Sequence, residues 1–365
     1  MSPEEQLKLL SEIGNEAEMS TWNDAILRLY RAVALFHLGR LREAQADVEA
    51  AVRSLRGTNS AKLYLAQQFS AGIAYEFGDL RSARLESKRI TRLSLLQNRP
   101  LSCSHELRNL SLIDLERGQL GMALASFRKA EEIALRLGRT DPWLRRTSLQ
   151  LSLRWQAGDP TAIADVRSAL AADACDGVLR GVVGLHELGA GAGGRALLRE
   201  AVARLEETDQ HTEARELLAR WLETEVDLGH RAESEDIFLE LQQNPKGMTD
   251  RIRAFLRVVE ADMLVLEWID PPRDPELILL DLILDIRRRD LGFYFWRTHW
   301  HLARFYHQRR RLTESQEQYV AARRFLEDLI ETLENEEQRD GFRGHPGPRR
   351  FLAEAEARLG EVQLS

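Results

Sequence analysis

Three groupings along this 365-residue chain combine residue types that could do chemistry. Gly189, Gly191 and Gly194 spell G-x-G-x-x-G, the pattern that lets a backbone approach a pyrophosphate. That use needs a strand before the glycines and a helix after them. Here a helical stretch precedes them, so a hairpin turn is expected. His299, His301 and His307 form the one cluster among 9 histidines. Two ligands on one helical face need i, i+4 spacing, and these spacings do not provide it, so no metal is expected. Cys103 and Cys175 are far apart and outside any C-x-x-C pair, which predicts no disulfide framework and a reducing, cytoplasmic setting. No G-x-S-x-G, Walker A or Cys-His arrangement occurs, and the carboxylates are expected on solvated faces. Neither a catalytic site nor a cofactor is expected.

What remains is binding chemistry. Phe293, Tyr294, Phe295, Trp296, Trp300, Phe305 and Tyr306 crowd one segment, as a core or as a pocket. Aromatic residues and arginine dominate interface hot spots. The runs Arg287-Arg288-Arg289 and Arg309-Arg310-Arg311 sit at helix ends, where cations complement the dipole. A formal net charge of −7 provides no general field for phosphate backbones, so nucleic-acid binding is not expected. No stretch approaches the roughly 18–20 apolar residues that span a bilayer, and the acidic start, Met1 to Glu5, is no signal peptide.

These residues must be carried on helices. Apolar residues recur at spacings of three and four, period-2 strand patterns are missing, and the 10 prolines fall at predicted helix edges. A longer period of about 40 residues overlays this. Gly39, Gly78, Gly118, Gly158, Gly189 and Gly229 each fall near the end of a helical run and precede another. A glycine there can take φ > 0 and end the helix, so each marks the turn of a helical hairpin. Small residues stand seven positions before the first three of these glycines, at Ala32, Ala71 and Ser111. Others stand five positions after, at Ala44, Ala83 and Ala123. They let two helices approach closely.

The pattern resembles the tetratricopeptide repeat, whose first helix carries a small residue seven before a glycine. Its second helix carries Ala, an aromatic and Ala, matched here by Ala123, Phe127 and Ala130, and by Ala44, Val48 and Ala51 with an aliphatic in the middle. The family unit is 34 residues, so helices here must be longer; the period also leaves a HEAT-type hairpin open. The last hairpin keeps Ala303, Tyr306, Ser315, Tyr319 and Ala322, with Arg310 in the glycine's place. The expected fold is all-α, a right-handed superhelical α-solenoid of about eight hairpins over residues 22–333. Capping elements are expected over 1–21, where Ser2-Pro3-Glu4-Glu5 reads as a capping box, and over 334–365. The tail residues Arg339, Phe342 and Pro346 are similar to the closing segment of arrays attached to bacterial kinases and ATPase-type regulators.

The resemblance implies a concave groove lined by the first helix of each repeat. Its groove positions fall on Phe36, Tyr75, Arg108, Arg145, Trp155, Arg297, Trp300, Arg304 and His307. Such a set suits a partly acidic peptide. The Lys and Asn of a carboxylate clamp are missing from these positions. The expected function is a protein–protein interaction scaffold in bacterial signalling or regulation. The alternatives are a small-ligand sensor with a pocket at residues 293–306, or a nucleic-acid scaffold using the arginine runs. Ala44→Trp or Ala123→Trp should destabilise, whereas Arg108→Ala or Arg304→Ala should leave melting unchanged.

Overall fold

The computed structural model describes residues 3–16, 20–58, 61–137, 154–159, 161–172 and 176–362. All regular structure among them is helical. Helix α1 (Pro3–Glu16) precedes three hairpins: α2 (Thr21–His37) with α3 (Leu41–Leu55), α4 (Ala61–Glu76) with α5 (Leu80–Leu96), and α6 (Pro100–Glu116) with α7 (Leu120–Arg136). Of the fourth hairpin, residues 154–156 and α8 (Ala162–Ala172) are described. Then come α9 (Gly177–Gly189) with α10 (Arg195–Glu207), α11 (His211–Leu228) with α12 (Arg231–Gln243), and α13 (Asp250–Val265) with α14 (Pro275–Arg289). A 3-10 turn, Gly292–Tyr294, leads into α15 (Phe295–Gln308) and α16 (Leu312–Glu331). The chain closes with α17 (Glu336–Arg343) and α18 (Pro346–Val362). Consecutive helices pack as antiparallel pairs, and each pair packs on the next.

Local chemistry sets the helix ends. Ser20, Asp79, Asp176, Thr249, Asp274 and Asn335 each accept a backbone N–H in the first turn of the helix that follows, satisfying donors the helix cannot. The six small residues expected at hairpin contacts are all buried. Ser315 Oγ, on α16, donates to the Ala303 carbonyl of α15 at 2.8 Å, so the last hairpin is also tied by a hydrogen bond.

The turn position recurs beyond the glycines that mark it in sequence. Left-handed backbone occurs at Gly39, Gly78, Gly118, Gly158, Gly191 and Gly229, and then at Glu267 (φ 58°) and Arg310 (φ 59°). Gly191, not Gly189, turns the fifth hairpin; Gly189 ends α9. Glu267 and Arg310 bear a Cβ in a conformation that costs an L residue roughly 1–2 kcal/mol, so packing holds them there. The G-x-G-x-x-G segment is the α9–α10 turn, with no strand before it. Cys103 is buried and unpaired; Cys175 and the capping Ser2 lie outside the described residues.

The array folds back on itself. The second hairpin's turn meets α14, where Arg289 donates to the Phe77 carbonyl at 3.0 Å. The third turn meets the 3-10 segment: a Cβ on Gly118 would stand 3.1 Å from the Gly292 carbonyl carbon. Arg117 pairs beside it with Asp290 at 2.6 Å. The fourth turn meets α17, where a Cβ on Gly158 would collide with the Phe342 nitrogen. A seam therefore joins the turn edge of the N-terminal half to the C-terminal half.

Candidate functional site

The seam lies against the turn ends of α4 and α6. Along it runs a chain of buried charges. Arg251 of α13 reaches Glu76 of α4 at 3.4 Å, Glu116 of α6 at 3.3 Å and Glu216 of α11 at 2.7 Å. Arg220 of α11 approaches Glu116 and Glu223 and donates to the Tyr294 hydroxyl at 3.0 Å. Arg297 of α15 contacts Glu223 at 3.0 Å, Asp227 at 2.5 Å and Asp262 at 3.3 Å. Asp262 also accepts from Arg304 at 2.7 Å. Burying ions is expensive unless each is matched, and here each guanidinium spans two or three carboxylates.

The electrostatics follow from this crowding. Burial pushes Asp262 up, but His301, Arg304, Arg297 and Arg350 outweigh it and hold the carboxyl at about 2. Burial pushes Asp227 up to about 7, opposed by Arg297 and reinforced by Glu223 and Asp262. Two acids sharing one arginine thus differ because Asp262 has further cations and Asp227 has none.

The nine sequence-derived groove residues separate into distinct settings. Trp300 is 0% exposed, its ring flanked by Arg304 at 5.3 Å and Arg350 at 5.4 Å. Arg297 is 2% exposed. Both are buried by the chain itself. Arg304 joins the buried network, and Arg304→Ala would remove one of the cations that match Asp262, so a lower melting temperature is the expected outcome. Tyr75 lies under the Arg251 guanidinium at 4.6 Å, and Phe36 packs edge-on against Phe69 at 5.6 Å. Arg108 is half-buried, with burial drawing its pKa down and Glu131 opposing. His307 is half-buried at the end of α15. Arg145 lies outside the described residues.

Trp155 stands apart, because it borders a cleft. An outer cavity of about 340 Å³ is walled by Trp155, Ile163, Leu185, His345 and Pro346, with Arg349 also on its lining. An inner chamber of about 80 Å³ shares Trp155, Leu185, His345 and Pro346 and adds Phe293, Trp296 and the Arg220–Glu223–Arg297–Asp227 ion pairs. His345 meets the Trp155 ring edge-on at 5.0 Å, and its Nε2 lies 3.0 Å from the Trp155 carbonyl. Asp159 and Asp340, on the outer wall, are matched by Arg154 and Arg343. Arg349 is exposed and has no such match among the described residues.

Sequence reasoning missed the central charges Arg251, Arg220, Glu116 and Asp262. Their signal is a charged residue inside an apolar face, such as Asp262 with Val258, Val259 and Val265 three or four positions away. The aromatic segment is mainly interior: Tyr294, Trp296, Trp300, Phe305 and Tyr306 are buried. The arginine runs do not form one basic face. Arg288 and Arg289 pair with Asp285, Arg311 with Glu276 and Glu314, and Arg350 donates to the Val226 carbonyl. No group of three or more metal-binding side chains occurs among the described residues, and no described helix is long and apolar enough to cross a membrane.

Among the solved structures similar to this chain is the yeast Tom70 crystal structure, at 13% identity and a TM-score of 0.41, covering 93% of this chain and 82% of that one. Another is the P58(IPK) TPR domain, at 14% identity and a TM-score of 0.26, covering 93% and 80%. No protein-family model and no curated protein matches the chain.

Proposed function

We propose that this chain is a non-catalytic adaptor that holds a segment of a protein partner in the cleft beside Trp155. The observation that carries this reading is the cleft itself. Buried ion pairs occupy the turn ends of α4 and α6, while Trp155, His345 and Pro346 border an opening. The walls suit an apolar side chain, and Arg349 at the margin suits an acidic neighbour. A place in bacterial regulation rests on the likeness of Arg339, Phe342 and Pro346 to the closing segment of regulator arrays. In this chain Phe342 is 2% exposed, and Arg339 donates to the Leu333 carbonyl at 3.0 Å.

A second reading, a small-ligand sensor, is favoured by the inner chamber. Four charged side chains converge there behind aromatic rings. With the outer cavity it reaches the size of small-molecule sites, from about 300 Å³ upward. One experiment addresses both readings. Arg349→Glu, an exposed change, is compared with wild type in affinity capture from native lysate, after equal melting temperatures are established. Selective loss of one captured protein supports the adaptor. If capture is identical and a small-molecule library raises the melting temperature of wild type only, the sensor reading replaces it.

A further inference from the structure

A second surface, remote in sequence from the Trp155 cleft, has its own logic. The outward face of α5 combines strongly exposed leucines with cations. Leu85 is 68% exposed and Leu96 75%. On the same helical face lie Arg81, Lys88 and Arg92, all exposed. Lys88 and Arg92 have no ion-pair or hydrogen-bond partner for their side chains among the described residues. Arg81 has a distant one, Asp290, at 3.9 Å. Glu86, on the same helix, is taken by Arg89 at 3.3 Å.

Beside this face is a pocket. The ends of α3, α4 and α5 enclose about 190 Å³, with Val52, Leu63, Tyr64 and Leu93 as apolar walls and Gln67 and Gln97 as polar ones. Arg56 and Arg89 stand on its lining. Arg56 is exposed, and its guanidinium has no partner among the described residues. The volume takes one large apolar side chain, and its rim offers guanidinium groups.

We infer that the α3–α5 pocket and the outer face of α5 dock a short acidic segment of a partner protein, with one apolar anchor in the pocket. Charge decides the partner. The whole chain carries −7, so a local surplus of unmatched cations is a departure from its surroundings rather than an overflow of them. The leucines decide it further. A nucleic-acid backbone needs cations but leaves exposed leucines uncovered, whereas an acidic amphipathic segment covers both.

The test is selection of a displayed library of 12-residue peptides on the full chain. Binding of the winners is then measured to wild type and to Arg56→Glu/Arg92→Glu, with circular dichroism confirming the variant's fold. The expected winners have Asp or Glu around a Leu, Phe or Trp. They bind the variant at least tenfold more weakly, and lose affinity for wild type as salt rises. Winners lacking acidic residues, or equal binding to both proteins, overturn the proposal. Phosphatidylserine vesicles and duplex DNA serve as competing probes. If either binds wild type, fails on the variant and displaces no acidic peptide, the face belongs to that ligand and the proposal fails.

Discussion

His301 is fully buried, with its Nδ1 3.7 Å from an Asp262 oxygen and three guanidiniums close by. Burial draws its pKa down to about 3, with Asp262 opposing and the arginines reinforcing. In the unfolded chain the ring takes a proton near 6.5. Between about pH 3 and 6.5 the unfolded state therefore holds a proton that the folded state does not. Acid then favours unfolding through this residue, and its contribution is lost as pH falls below 6.5. Comparing wild type with His301→Gln isolates the effect. The wild-type melting temperature should decline relative to the variant's as pH is lowered from 7 to 4. A constant difference across that range would show that His301 does not stay neutral in the fold. Asp227 works the other way: its raised pKa makes the folded state hold the extra proton between about 4 and 7, so a wild-type scan alone mixes two opposed slopes.

Hairpins depend on close helix approach, and the small residues at their contacts set it. Ala123 is 0% exposed in α7, whereas Ala125, two positions on, is exposed. Ala123→Trp should cost about 1–3 kcal/mol by overpacking, while Ala125→Trp should change little; urea unfolding midpoints compare them. Equal losses would contradict the packing role. At this scale much was legible in the sequence. The small residues and the glycine-marked turns are local features, each set by one backbone conformation or one close contact. The spacing of the last hairpin also marks Arg310 as the turn residue, whereas Glu267 carries no such mark, because tertiary packing holds a left-handed turn there without glycine's chemistry. Of the candidate site, Trp155 lies at the cleft, but Arg297, Trp300 and Arg304 are engaged by the chain itself. A periodic rule assigns a wall to each helix and cannot see what lies against that wall. The residues that cover it are far along the sequence: Arg117 meets Asp290, and Gly158 meets Phe342.

The molecule as a whole is governed by that seam. In an open array, stability is nearly a sum of repeats and their neighbours; the seam adds contacts between distant repeats. Two glycines separate these contributions. Gly158 and Gly229 both have φ near +80°, so alanine strains both backbones alike. A Cβ at Gly229 meets nothing within 4 Å, whereas at Gly158 it strikes α17. Gly229→Ala should lower stability by roughly 1 kcal/mol and leave the radius of gyration by small-angle scattering unchanged. Gly158→Ala should lose more and enlarge that radius. Equal radii would mean the seam does not hold the two halves together. The same connection bears on how the protein is made. On the ribosome, the turns at Gly78, Gly118 and Gly158 are synthesised well before Arg289, Gly292 and Phe342. Until Arg251 emerges, Glu76 lacks its guanidinium and Glu116 has Arg220 alone. The nascent N-terminal hairpins thus wait with acidic, solvated faces, and the growing chain completes its interior only when its last third arrives.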